Sequence, residues 1–304
     1  MAFSTSLNCI GNTPLVRLVG AERALGVNAE LYAKVEGASL GGSVKDRAAL
    51  YMIEGAQKAG LLKKGGCVVE ATSGNTGIGL ALVCALKGYS FIAVMPDTAS
   101  VERRKLMQAY GAQVVLTDGT GGMTAAIARA KEIKAELGAY HPDQFSNPDN
   151  ALAHYETTGV EILRQLPDVD MLVAGIGSGG TVSGCGKRLK EARAVTVAGV
   201  EPLGSPFLTK GKGGSHKIQG IGAGFLPKAL DRSVVDEILC VSDDEAFSYA
   251  RTVAKTDGLF VGISSGAALC GAVALAKKPE NKGKKIVVIF PDGGGRYLST
   301  ELVE

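Results

Sequence analysis

The chain has 304 residues, 46% hydrophobic and 21% charged, with a formal net charge of +3. That is enough apolar material for one large or two medium cores, and too balanced a charge for the basic face of a nucleic-acid or anionic-membrane binder. No Lys or Arg precedes Arg17, and the longest clean apolar run, Ile78 to Leu86, is too short to span a membrane, so a soluble, cytoplasmic protein is expected. The six cysteines (Cys9, Cys67, Cys84, Cys185, Cys240, Cys270) form no C-x-x-C pair and read as buried thiols. His141, His154 and His216 lie far apart, which argues against zinc.

In chain order, the first informative stretch is Gly41-Gly42-Ser43-Val44-Lys45-Asp46-Arg47, ahead of an apolar helical pattern from Ala48 to Ala59. Ser43 with Asp46 three residues on predicts an N-cap and capping box. Lys45 then falls in the first turn, where the helix dipole disfavours a protonated amine. A lysine of lowered pKa is what Schiff-base chemistry requires; an ordinary surface lysine is the plain alternative.

A strand at Cys67–Glu70, a loop at Ala71–Gly77, a helix at Ile78–Lys87 and a strand at Phe91–Met95 follow as a βαβ unit. Its loop, Thr72-Ser73-Gly74-Asn75-Thr76-Gly77, gathers hydroxyls, an amide and N–H groups without a charge. That suits a small carboxylate, or simply a well-capped helix start. Gly138–Asn150, with Pro142, Asn147 and Pro148, reads as irregular chain between two halves.

The same plan recurs in a strand at Met171–Ala174, a loop at Gly175–Thr181, a helix at Val182–Ala192 and a strand at Val195–Val200. The loop Gly175-Ile176-Gly177-Ser178-Gly179-Gly180-Thr181 can hold a phosphate on its N–H groups and the helix N-terminus. It also spells G-x-G-x-x-G, with Glu201 about 20 residues on, so a dinucleotide fingerprint is the local rival. Pro202–Gly224 is glycine-rich and reads as a lid, a docking surface or a plain loop. In Gly262-Ile263-Ser264-Ser265-Gly266-Ala267-Ala268, small residues open a helix, which implies close packing against its backbone.

Taken together, Gly11–Leu15, Gly42–Arg47, Thr72–Gly77, Gly177–Thr181, His216–Phe225, Gly262–Ala268 and Arg296–Thr300 resemble the cysteine synthase (O-acetylserine sulfhydrylase) family. The segments stand in family order along nearly the whole chain. The resemblance implies an α/β fold of two doubly wound domains with mainly parallel sheets, the tryptophan-synthase-β-like fold type II of pyridoxal-phosphate (PLP) enzymes. It implies a larger domain at 1–47 and 151–304 and a smaller mobile one at 48–150.

It further implies PLP carried on Lys45. The phosphate would lie on Gly177, Ser178, Gly179, Gly180 and Thr181, the ring oxygen against Asn75 and the ring nitrogen against Ser264. The substrate carboxylate would lie on Thr72, Ser73, Asn75, Thr76 and Gln144. This retires the dinucleotide reading. The implied reaction is a ping-pong β-replacement in which Lys45 takes the α-proton, acetate leaves and sulfide adds. A homodimer and the C-terminal tail of a serine acetyltransferase are the implied partners, with no nucleic acid and no membrane.

Two departures are visible: Ser39-Leu40 stand where the family has Asn-Pro, and Gly293-Gly294-Gly295-Arg296-Tyr297 where it has S-G-E-R-Y. Leu152–Thr158 is similar to cystathionine β-synthase, whereas Gly220–Phe225, with Ala223, has the cysteine-synthase form. The alternatives are therefore a cystathionine β-synthase-like condensation of serine with a thiol, a serine or threonine dehydratase, and a silent scaffold that binds a partner tail. Retention of Lys45, Asn75 and Ser264 speaks against the scaffold.

Overall fold

The computed structural model describes residues 4–304; residues 1–3, the start of the expected 1–47 segment, lie outside it. Its strands are β1 (Leu15–Arg17), β2 (Glu30–Val35), β3 (Cys67–Ala71), β4 (Ser90–Pro96), β5 (Gln113–Thr117), β6 (Met171–Gly175), β7 (Thr196–Pro202), β8 (Glu237–Val241) and β9 (Lys285–Phe290). They form a larger sheet of order β1-β2-β9-β6-β7-β8 and a smaller one of order β3-β4-β5. Among the strand pairs of the described residues, only β1–β2 is antiparallel. The four expected strands are β3, β4, β6 and β7, with ends displaced by one or two residues.

The α-helices are α1 (Val19–Leu25), α2 (Lys45–Lys58), α3 (Asn75–Lys87), α4 (Val101–Ala109), α5 (Gly122–Leu137), α6 (Pro148–Ala153), α7 (Gly159–Gln165), α8 (Gly180–Ala192), α9 (Phe207–Lys210), α10 (Asp243–Asp257) and α11 (Ile263–Ala276). A π-helical turn, His154–Thr158, joins α6 to α7.

Side chains alternate along β9. Ile286, Val288 and Phe290 pack with α1, α10 and α11, while Val287 and Ile289 face α7 and α8. The smaller sheet is covered likewise, by α2 and α3 on one face and α5 on the other. Both sheets are thus doubly wound, which parallel strands require because both faces must be buried.

α11 is apolar all round and runs buried between α10 and the larger sheet. A Cβ on Gly266 would stand 2.0 Å from the Ala246 carbonyl oxygen, so its small residues let two helix backbones touch.

Two expected loops are partly helical. Gly138–Asn150 is irregular only as far as Asn147, whose side chain caps α6, with Pro148 in the first helical turn where its missing N–H costs nothing. Within Pro202–Gly224 the single turn α9 forms because buried Glu201 accepts from the Leu208 and Thr209 N–H groups. No helix among the described residues is long and apolar enough to cross a membrane.

Candidate active site

Four helices, α2, α3, α8 and α11, begin at one place without a side-chain cap. Elsewhere α4, α6 and α10 are capped by Ser100, Asn147 and Ser242. The uncapped ends therefore leave first-turn N–H groups for other partners.

The expected capping box at α2 does not form. Lys45 is the first helical residue, and the Ser43 Oγ accepts only from the Lys45 N–H, at 3.3 Å. Asp46 turns back to accept from the Gly41 N–H at 2.8 Å. Ser43 is instead held as extended chain, bridged to Asp292 just beyond β9. Lys45 Nζ lies 3.5 Å from Ser178 Oγ, a loose contact. Burial pulls the Lys45 ammonium down to about 8, so removal from water, more than the helix dipole, lowers it.

Ser178 sits in the glycine loop that opens α8. A Cβ on Gly177 would stand 2.3 Å from the Gly220 carbonyl oxygen, and Gly179 has φ +85°. Both positions need glycine, and together they turn the chain tightly into the helix. Asn150 is fully buried behind the loop and donates to Ser178 Oγ at 2.9 Å and to the Gln144 carbonyl at 2.8 Å. Its Oδ1 has no partner. Thr181 Oγ1 is 3.3 Å from Nε2 of buried His154, which burial holds well below its usual pKa and so neutral. Ser264 is buried in the first turn of α11.

The carboxylate candidates also meet. Thr76 Oγ1 donates to Gln144 Oε1 at 2.6 Å, joining the β3–α3 loop to the 144 segment. Thr72 is buried and its Oγ1 faces the Gly74 N–H at 3.5 Å; Ser73 stays half-exposed between them. None of these hydroxyls caps α3, so the plain capped-helix reading of the loop does not hold. Gln144 is aimed by Glu70, whose carboxylate accepts from the Asp143 and Gln144 N–H groups at 3.1 and 3.3 Å. Asp143 there adopts φ +48°, a conformation that a non-glycine residue keeps only under restraint. Burial pushes the Glu70 carboxyl up to about 7.

Asn75 is held from the tail. Its Nδ2 donates to Asp292 Oδ2 at 2.7 Å, and its Oδ1 accepts from Arg296. Arg296 also donates to the Gly41 carbonyl, and buried Tyr297 donates to Asp292 Oδ2 at 2.6 Å. In the tail variant Gly294 packs on the Phe260 ring, where a Cβ would stand at 2.6 Å.

Beneath α2 lies a buried ion cluster that sequence reasoning missed. Arg47 donates to Glu36 at 2.8 and 2.9 Å and to Glu161 at 2.6 and 2.8 Å, and buried Lys34 donates to Glu161 at 2.7 Å. The Asn12 and Thr13 N–H groups also donate to Glu161, which explains Gly11-Asn12-Thr13 as an N–H cradle. Nothing in the spacing of Glu36 and Glu161 announces this. The cluster anchors Arg47 two residues from Lys45.

Burial alone would raise the Glu161 carboxyl, but Arg47 and Lys34 hold it down to about 2, against 4.5 unperturbed. A lowered folded-state pKa gives stabilisation that is present above about pH 4.5 and lost as pH falls towards 2. Glu161→Gln should therefore cost about 3–5 kcal/mol at pH 7 in urea unfolding. The difference from wild type should shrink below about pH 4.5. A difference that did not depend on pH would show that the charge is not what stabilises.

A family profile described as pyridoxal-phosphate dependent enzyme matches residues 7–292. The cysteine synthase of Staphylococcus aureus (strain Mu50) is 49% identical over 298 residues, 96% of this chain and 94% of its own. The solved structure of cysteine synthase (OASS) from Entamoeba histolytica is 42% identical, with a TM-score of 0.96 over 99% of this chain and 91% of that one. That of a hydrogen sulfide-producing enzyme from Fusobacterium nucleatum is 46% identical, with a TM-score of 0.92 over 98% of this chain and all (100%) of that one.

Proposed function

This chain belongs to the pyridoxal-phosphate dependent enzymes, and from that premise we propose that it is a cysteine synthase, converting O-acetylserine and sulfide to cysteine and acetate. The observation that carries the reading is a half-buried lysine with an amine of lowered pKa, 3.5 Å from Ser178 in a glycine loop that opens an uncapped helix. An amine neutral near pH 8 can bond to an aldehyde, and the loop's N–H groups can receive a phosphate. The residues therefore fit PLP. Gly177 and Gly179 leave the loop no room for a side chain, and Asn150 braces it from behind.

When bound, PLP supplies an electron sink for charge that develops at the substrate α-carbon. Lys45 would hold it, Gly177, Ser178, Gly179, Gly180 and Thr181 would take its phosphate, and Asn75 and Ser264 its ring oxygen and nitrogen. Thr72, Ser73, Asn75, Thr76 and Gln144 would hold the substrate carboxylate, which fixes the α-proton towards Lys45. The Lys45 amine, once the substrate amine has taken its place, would be free and neutral to take that proton. The Cβ–O bond breaks, acetate departs, and sulfide forms the new Cβ–S bond. Lys45 returns a proton to the α-carbon. The enzyme should be yellow and should form cysteine from O-acetylserine and sulfide; an enzyme yielding no cysteine from that pair would overturn the reading.

The same reading makes 48–150 a smaller mobile domain set against a larger one of 1–47 and 151–304. In support, the Thr72–Thr76 loop follows β3 of the smaller sheet and the Gly177–Thr181 loop follows β6 of the larger. A substrate touching both gains by drawing them together. Superimposable structures with and without a carboxylate ligand would count against the movement. Family resemblance further supports a cytoplasmic homodimer whose site accepts the C-terminal tail of a serine acetyltransferase. Sedimentation velocity tests the dimer. A tail peptide that left activity and cofactor fluorescence unchanged would remove that partner.

A further inference from the structure

We infer that Asp292, which lies outside the residues assigned above, is a positioning residue that fixes the orientation of the Asn75 amide; this rests on the reading of Asn75 as a cofactor contact. The two ends of a side-chain amide are nearly the same size, so packing alone does not tell oxygen from NH2. Charge does so here. The Asp292 carboxylate takes the Nδ2 side at 2.7 Å, and the Arg296 guanidinium takes the Oδ1 side. A flipped amide would present NH2 to a cation and oxygen to an anion. The NH2 group carries two hydrogens; Asp292 uses one, and the other stays free to donate to an oxygen in the site.

The rest of the fold is arranged to keep Asp292 in place. It lies two residues beyond β9, and its backbone is bridged to Ser43, two residues from Lys45. Tyr297 Oη donates to the same Oδ2 at 2.6 Å, and the Tyr297 ring lies under Arg103 at 5.3 Å. Position 262 must be glycine for the carboxylate to fit, because a Cβ there would stand 2.0 Å from Asp292 Oδ1. Asp292 is 2% exposed, and Oδ1 has no hydrogen-bond partner. An unpartnered buried carboxylate oxygen is a cost that packing alone does not repay, and it shares its carbon with the oxygen that holds Asn75.

The test compares Asp292→Asn with wild type as loaded enzymes. The variant should bind cofactor stoichiometrically, yet its visible absorption band and cofactor emission should shift. Its kcat/KM for O-acetylserine should fall about ten- to a hundredfold, mainly in kcat. Asp292→Glu, which keeps the charge, should recover part of that loss. In an Asn75→Ala background, adding Asp292→Asn should change kcat/KM less than about twofold, because the residue it acts through is gone. An unshifted spectrum with wild-type kcat, or fully multiplicative losses in the double variant, would overturn the inference. Should Asp292→Asn fail to fold, a crystal structure of loaded wild type decides. An Asn75 amide end within about 3.5 Å of the Asp292 carboxylate, with its other end on Arg296, supports the inference, and any longer separation from Asp292 overturns it. Failure of the wider reading would show differently, as a wild-type enzyme that never turns yellow.

Discussion

Lys45→Ala should abolish cysteine formation, a loss of at least about 10⁴-fold, while leaving the protein folded. The two roles given to Lys45, holding the cofactor and moving the α-proton, both need its amine. The structural cost of removing it is small, because the side chain's one hydrogen-bonding contact is the loose 3.5 Å approach to Ser178. Anchoring of the helix start falls to its neighbours: Asp46 on the Gly41 N–H, and Arg47 on Glu36 and Glu161. Thermal unfolding close to that of wild type, with turnover gone, is therefore the expected pair of results, and a small primary amine added to the solution should restore part of the proton transfer. In wild type freed of cofactor, the rate of reloading should rise with pH towards about 8 and then level, as Lys45 becomes neutral. Near-normal turnover by Lys45→Ala would sink the assignment.

What could be read in the chain and what could not divide along a physical line. Strands β3, β4, β6 and β7 were legible because short apolar runs bounded by glycine carry their signal locally. The glycine loop was legible for the same reason, since Gly177 and Gly179 answer to close approach and positive φ, both properties of the backbone. The helix start at Lys45 was placed almost correctly but for the wrong cause. A capping box is a local pattern, yet Ser43 is claimed by a bridge to Asp292, some 250 residues away in sequence. The Arg47–Glu36–Glu161–Lys34 cluster and the Asp292–Asn75–Arg296 junction were invisible for the same reason. Ion pairs between distant segments leave no periodicity, and a buried Glu161 looks on paper like any charge on a helix face. Glu70 is a similar case, a carboxylate whose partners are backbone N–H groups more than 70 residues on.

O-acetylserine should be preferred over serine by several powers of ten in kcat/KM, on the order of 4 kcal/mol or more in barrier. Ser264, buried in the first turn of α11, is the residue we propose to face the ring nitrogen of the cofactor. A carboxylate there would keep that nitrogen protonated and make a strong electron sink; a neutral hydroxyl delocalises less carbanion charge. Departure from Cβ then depends on the leaving group. Acetate leaves as a stable anion, whereas hydroxide needs an acid to protonate it. Ala223 and the Thr72–Thr76 loop supply none. Glu201 is buried with both oxygens accepting, from Leu208 and from Thr209, and so is committed to holding α9. Glu70, raised to about 7 by burial, spends both oxygens on the Asp143 and Gln144 N–H groups. Asp46 has an unpartnered Oδ1 as well, but its Oδ2 is spent on the Gly41 N–H at the start of α2; that leaves Asp292, whose pKa burial raises and whose Oδ1 is unpartnered. Its other oxygen accepts from Asn75 and Tyr297, an arrangement that orients an amide rather than one that faces a leaving group. Steady-state kinetics with each amino acid and saturating sulfide give the ratio directly. Comparable values, or a win for serine, would make Asp292 the first acid to remove and would move the enzyme to condensation of serine with a thiol.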